Sequence, residues 1–354
     1  MSQTILLTGA TGSLGASTLA RLLSDTNFTV LAALRSSAKS EPFLRSKYAS
    51  HVSSGCLSFV EIPDMTAPHA FDGPASVADF IIHIATPLAY DDVVNTVINP
   101  SWPIVRNVLT AADKSRRVKR VVVTGSLVAT MRIPEGLFAG ATSSTISEAD
   151  WNPISRDEAP TSPSTAYQYS KVHAEKEAWK FMNERHPTFD LVFLLAPSIT
   201  GRSLQDGFKP ERGHLGGQPG LYTGLFDVER PGFLFPMFAD VDDVARIHVD
   251  ALSPRIPGNQ RYLFHSPELM APNPIAAAIR EEFPQLRDRV PAPVPEEGSG
   301  SDDGMPANLV KTDMSKFESA FGKRTWKSAR VSALEAVQDI VDYEARGRTR
   351  AGKT

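Results

Sequence analysis

Short apolar runs alternate with amphipathic stretches along the first 200 residues. Thr4-Ile5-Leu6-Leu7-Thr8 is a β-rich run that ends directly at a glycine. Residues 13–24 follow, with Leu14, Leu19, Leu22 and Leu23 at helical spacing. Further apolar runs at 28–34, 57–62, 80–85, 120–124 and 191–195 predict strands, and the patterns at 93–115 and 166–184 predict helices. Near-continuous apolar strands separated by helices predict a parallel sheet covered on both faces. The expected class is α/β, a doubly wound parallel sheet that binds its ligand beyond the C-terminal strand ends.

The pattern changes after Pro197. Residues 201–240 are rich in Gly, Pro and aromatics and have little periodicity. Helical patterns return at 242–252, 273–283 and 331–346, with one strand at 260–264. Residues 290–308 read as a polar, breaker-rich loop. This predicts a nucleotide-binding Rossmann domain over 1–200 that carries the catalytic residues. Residues 201–354 then form mainly a substrate-binding lobe, with some segments returning to the first domain.

Composition narrows the partners. The 354 residues are 42% hydrophobic, enough for a large core, and the net charge is −3. That balance gives no basic field for nucleic acid or an anionic membrane. The run Lys114-Ser115-Arg116-Arg117-Val118-Lys119-Arg120 is locally basic and reads as the solvated C-terminal end of a helix. Cys56 is the only cysteine, which excludes internal disulfides and suits a reducing compartment. No apolar run reaches the ~18 residues of a membrane-spanning helix. A cytoplasmic protein acting on a small molecule is expected.

The first strand opens into Gly9-Ala10-Thr11-Gly12-Ser13-Leu14-Gly15. Glycines between a strand and a helix permit a tight turn and close backbone approach to a pyrophosphate, which the helix N-terminus attracts. Thr11, Ser13 and Leu14 share that turn and join Gly9, Gly12 and Gly15 as cofactor candidates. The end of the second strand selects between NAD and NADP. An acidic residue there would favour NAD, but the chain has Leu34-Arg35-Ser36-Ser37-Ala38-Lys39. Arg35 can fork onto a 2′-phosphate and Lys39 adds a point charge, so NADP(H) is expected. Asp64 and Met65 follow the third strand and are candidates for the adenine side; an ordinary turn aspartate is the competing reading.

Reducing a carbonyl needs a hydride donor, a proton donor and a group that polarises the oxygen. Tyrosine titrates at about 10 in the absence of neighbours, and a nearby ammonium favours its phenolate. Tyr167 and Lys171 are four residues apart, so one helix face presents both. Tyr169 is two residues from Lys171 and points elsewhere on a helix. Ser126 follows the fifth strand and can hydrogen-bond a substrate oxygen. Thr124, at the same strand end, falls among the cofactor residues. His83 lies inside an apolar strand and reads as a bonded core histidine. No His/Asp/Glu spacing suggests a metal.

Taken together these residues resemble the extended short-chain dehydrogenase/reductases of the NAD-dependent epimerase/dehydratase superfamily. The nearest branch holds dihydroflavonol reductases, cinnamoyl-CoA reductases and yeast-type methylglyoxal (carbonyl) reductases. The resemblance is carried by the glycine motif, Arg35 with Lys39, His83-Ile84-Ala85-Thr86-Pro87 and Arg120-Val121-Val122-Val123-Thr124-Gly125-Ser126. It continues through Asp150-Trp151-Asn152-Pro153, Tyr167 to Lys171 and Val241-Asp242-Asp243-Val244-Ala245. It implies a Ser126-Tyr167-Lys171 triad, Ala85, Thr86 and Pro87 near the cofactor ribose, and Pro197, Ser198 and Ile199 beside the nicotinamide. Asp242 and Asp243 are expected to cap the helix that follows.

The chain departs from that branch at several positions. Gly125 stands where relatives usually have serine, and aliphatic Leu88, Leu127 and Met131 replace aromatics expected at the substrate pocket. The implied substrate is a bulkier aldehyde or ketone, such as one of secondary metabolism. Two other readings compete with an NADPH-dependent carbonyl reductase. A nucleotide-sugar epimerase or dehydratase shares the fold, but Ser126 is followed by Leu127, Val128, Ala129 and Thr130 rather than an acidic pair. A non-catalytic NADP(H)-binding regulator would have no need for both Tyr167 and Lys171.

Overall fold

A computed structural model describes residues 2–25, 27–87, 91–137, 145–210, 217–232, 234–294, 304–305 and 308–351. The first half runs β1 (Gln3–Thr8), α1 (Ser13–Leu23), β2 (Phe28–Leu34), α2 (Ser37–Lys47), α3 (Ala49–Ser53), β3 (Leu57–Glu61), α4 (Asp72–Val77), β4 (Phe80–His83), α5 (Asn99–Ser115) and β5 (Arg120–Thr124). Then come β6 (Thr145–Ile146), α6 (Pro163–Arg185), β7 (Asp190–Leu195), β8 (Ser198–Thr200), α7 (Gly217–Leu225), β9 (Phe238–Asp240) and α8 (Val241–Asp250). The chain closes with β10 (Gln260–Leu263), α9 (Pro272–Glu282), β11 (Lys311–Thr312), α10 (Ser315–Phe321) and α11 (Ala329–Ala351).

Seven strands form one parallel sheet in the order β10-β7-β5-β4-β1-β2-β3. Alternate side chains feed opposite faces. Ile5, Leu7, Val122 and Val192 join the core under α1 and α8. Leu6, Val121, Val123 and Leu191 join the core under α4, α5 and α6. Burial on both faces is why these strands read as continuous apolar runs. The chain order reverses between β1 and β4, so their carboxyl ends, Thr8 and His83, flank the crevice where such sheets bind ligands.

Residues beyond 200 divide between two tasks. β10 extends the sheet beside β7, and α8 packs on α1. Helices α7, α9 and α11 enclose a separate core around Leu221, Phe226, Ile275, Ile279, Ala333, Val337 and Ile340. A short parallel pair, β8 with β9, joins the two at Ile199 and Ala239.

Some sequence expectations differ from the structure. No element is predicted for 37–47, yet α2 forms there, with Pro42 inside it and only Leu44 buried. A helix with one buried position leaves little hydrophobic period to read. The helix carrying Tyr167 starts at Pro163 rather than 166, because Ser162 and Thr165 exchange side-chain and backbone hydrogen bonds as a capping box. The cap of α8 is Asp240, whose carboxylate accepts from Asp242 N; Asp242 and Asp243 occupy the first turn. The basic run is only partly solvated. Arg120 is 5% exposed, forks onto Asp190, and donates to the carbonyls of Ala251, Ser253 and Ile256. Most of the 290–308 loop lies outside the described residues.

Candidate active site

The glycine turn is shaped for a phosphate. Gly9 has φ 77°, a left-handed conformation that favours glycine, and a Cβ on it would lie 2.9 Å from Ala85 N. A Cβ on Gly15 would lie 1.8 Å from Gly9 O, so helix and turn touch through bare backbone. The α1 N-terminus has no capping side chain and no acid in its first turn, so its N–H groups and positive dipole end face the crevice unneutralised. A pyrophosphate fits that donor set.

Beside the turn lies a cleft of about 420 Å³ lined by Gly9, Thr11, Arg35, Lys39, Met65 and Ala85. Arg35 and Lys39 are both exposed, with polar ends free to meet an anion at the rim. Sequence reasoning passed over Phe43 and Lys47 of α2 and Tyr48 just after it, which add to the wall. Asp64 is not among the residues lining this cleft; its carboxylate accepts from Thr66 N and Oγ1 in a local turn, which holds its pKa below the usual carboxylate range.

Thr8 braces the crevice between β1 and β4. Its Oγ1 accepts from Ile84 N at 3.1 Å and Ala85 N at 3.2 Å, and lies 2.9 Å from His83 Nδ1. With its lone pairs engaged by two N–H donors, the hydroxyl has its proton left to give to Nδ1. That assigns His83 as the neutral tautomer protonated on Nε2. Burial, with a smaller contribution from the Lys171 charge, pushes the His83 pKa down to about 3. His83 is therefore a structural acceptor for the Thr8 hydroxyl, which in turn fixes Ile84 and Ala85.

Lys171 reaches across from α6. Its Nζ donates to Thr86 Oγ1 at 2.9 Å and to Thr124 O at 3.0 Å, the ends of β4 and β5. The same nitrogen lies 5.7 Å from the centre of the Tyr167 ring. The residue keeps some accessible surface, but burial of its ammonium lowers the pKa to about 8, against an opposing pull from Glu175. A small cavity of about 30 Å³ adjoins it, lined by His83, Ala85, Thr86, Pro87, Thr124 and Ser170. Tyr169 stacks on His173 instead, 5.3 Å between centroids, with Arg156 over its ring.

Ser126 is 6% exposed and starts the short turn 127–129 after β5. Asn152 clamps that turn, donating from Nδ2 to Val128 O and Met131 O at 2.8 Å each. Gln168, one residue after Tyr167, accepts from Asn152 Nδ2 and brackets Ile133 through both its N–H and its carbonyl. The Ser126 turn and the Tyr167 helix are thus locked together. Neither role had a sequence signal beyond the Asp150-Trp151-Asn152-Pro153 string.

The remaining candidates are spread around this centre. Thr124 Oγ1 bonds His248 Nε2 at 2.8 Å. Pro197 is buried, Ser198 Oγ accepts from Gly217 N, and Ile199 packs on the core beneath α1. Leu127 and Met131 are 1% and 3% exposed; they belong to the core under α5 and α6 and line neither cavity. Leu88 lies outside the described residues, as do positions 211–216 of the divergent stretch.

Residues 5–215 match the model of the NAD dependent epimerase/dehydratase family. The chain belongs to that family. Within it, ketoreductase CTB6 of Cercospora nicotianae is 30% identical over 345 residues, covering 90% of this chain and 89% of the relative. Aldehyde reductase 2 of Sporidiobolus salmonicolor is 27% identical, covering 96% and 95%. The fold matches the crystal structure of yeast methylglyoxal/isovaleraldehyde reductase Gre2 complexed with NADPH. There the TM-score is 0.82 and the identity 23%, over 97% of this chain and all of the other. Among the described residues, no helix is long and apolar enough to cross a membrane.

Proposed function

We propose that this chain is an NADPH-dependent reductase that converts an aldehyde or ketone into an alcohol. The observation that carries this reading is the Lys171 ammonium, held between Thr86 Oγ1 and Thr124 O beside the Tyr167 ring, at the carboxyl ends of β4 and β5. The named activities of the relatives, ketoreductase and aldehyde reductase, support it. The Gre2 complex supports NADPH as the cofactor, and so does the cationic rim at Arg35 and Lys39.

Bound NADPH supplies the hydride. Backbone N–H groups of Thr11, Ser13 and Leu14 at the α1 N-terminus hold its pyrophosphate. Arg35 and Lys39 meet the 2′-phosphate, and Met65 and Ala85 line the adenosine side. Ser126 Oγ donates to the carbonyl oxygen. Tyr167 Oη donates the proton that completes the alcohol, and the Lys171 charge stabilises the phenolate that remains. Leu127 and Met131 pack in the core behind Ser126, and the substrate class is a bulky ketone or aldehyde, such as one of secondary metabolism. Residues 1–200 hold cofactor and catalytic groups, and the later helices cover the substrate side. The single cysteine suits residence in the cytoplasm.

The test is NADPH oxidation with methylglyoxal, larger aldehydes and polyketide-like ketones. Tyr167→Phe should lower turnover at least about 100-fold while leaving NADPH binding in place. Full turnover by that variant sinks the mechanism.

A further inference from the structure

One turn beyond Lys171, α6 carries a carboxylate that the proposed chemistry does not use. Glu175 is 1% exposed, and Arg261 of β10 forks onto it, Nε to Oε1 at 2.8 Å and Nη2 to Oε2 at 3.1 Å. The guanidinium is itself fixed. It donates to Glu148 O and Asp150 O, and its carbon lies 3.7 Å from the centre of the Trp151 ring. Trp179 Nε1 donates to the same carboxylate oxygen. Burial raises the Glu175 carboxyl above the usual range, and the Arg261 charge and hydrogen bonds oppose that rise.

A buried ion pair is expensive, and an apolar pair of the same shape would hold α6 to β10 as well or better. Placement gives this one a further use. Residues four apart on a helix lie about 5–6 Å apart at Cβ, so Glu175 sits immediately behind Lys171. Among the described residues, the other groups around the ammonium carry no compensating charge. His83 of β4 is neutral, Thr86 and Thr124 offer only oxygen dipoles, and Tyr167 on α6 is the group that must become an anion. Arg261 lies beyond Glu175, on the strand side.

We propose that Glu175, oriented by Arg261, is a positioning residue that supplies the standing negative charge keeping Lys171 an ammonium, and thereby sets the alkaline limit of the enzyme. This rests on the catalytic assignment of Lys171 above.

The experiment is the pH profile of kcat/KM for NADPH-dependent carbonyl reduction by the full-length protein. Glu175→Gln should move the alkaline limb down by about one pH unit, a tenfold change in the proton affinity of Lys171. It leaves Arg261 unpaired, so Glu175→Gln/Arg261→Gln, with no buried charge left over, carries the same test if the single variant does not fold. Both should shift in the same direction. A limb that stays in place while only the rate scales down would overturn the proposal and leave Glu175 as a strut. Lys171→Met separates the two assignments: full turnover there removes the role of Lys171 itself, whereas an unmoved limb removes only that of Glu175.

Discussion

Replacing Thr8 by valine tests the brace at the centre of the site. Valine keeps the shape of threonine and removes one oxygen. Three partners lose their bond: His83 Nδ1, Ile84 N and Ala85 N. Thr8 is fully buried and His83 is 3% exposed, so the histidine acceptor pays full desolvation. Ile84 and Ala85 are half-buried, and water can recover part of their loss. At about 1–3 kcal/mol per buried group left unpaired, the sum is about 3 kcal/mol. Thr8→Ser keeps the oxygen and loses a methyl, at about 1 kcal/mol. Urea denaturation followed by intrinsic fluorescence should place valine well below serine. Valine should also weaken NADPH binding, because Ala85 N lies 2.9 Å from where a Cβ on Gly9 would sit. A valine variant within about 0.5 kcal/mol of the parent, or equal to serine, refutes the assignment of Thr8 as the acceptor of both N–H groups.

Three further outcomes are expected. The Lys171 pKa is lowered to about 8 by burial, so kcat/KM should fall as pH rises through that value; activity flat to pH 10 would contradict it. His83 and His248 are held down by burial to about 3 and about 4, so between about 6.5 and those values the unfolded chain binds protons that the fold refuses. Stability is fully present above that window and should decline on acidification by up to about 1.4 kcal/mol per pH unit per site, read from urea midpoints at pH 7.5, 6 and 5. Arg120→Met leaves Asp190 and three carbonyls without their donor and should cost about 3–5 kcal/mol in the same assay; a loss under 1 kcal/mol would show that water replaces the guanidinium.

The alternation of apolar runs and helical periods determined the doubly wound sheet, because strands buried on both faces need unbroken hydrophobic sequence. Local chemistry was legible wherever function needs a particular residue at a fixed short spacing. Gly9 and Gly15 are required by backbone contact, and Tyr167 and Lys171 share a helix face by their separation of four. Pairings distant in sequence left no such trace. Nothing in the string couples Thr8 to His83, Asn152 to the Ser126 turn, or Arg261 to Glu175 across 86 residues. Those contacts follow from strand order and from which helix covers which face. Tertiary structure also placed Leu127 and Met131 in the core, since burial depends on what packs above a residue and not on its type. The hydrophobic pattern was enough to read the doubly wound sheet, and short spacing was enough to nominate Ser126, Tyr167 and Lys171 as candidates; the folded chain decided which charges surround them, because electrostatic neighbours are set in space.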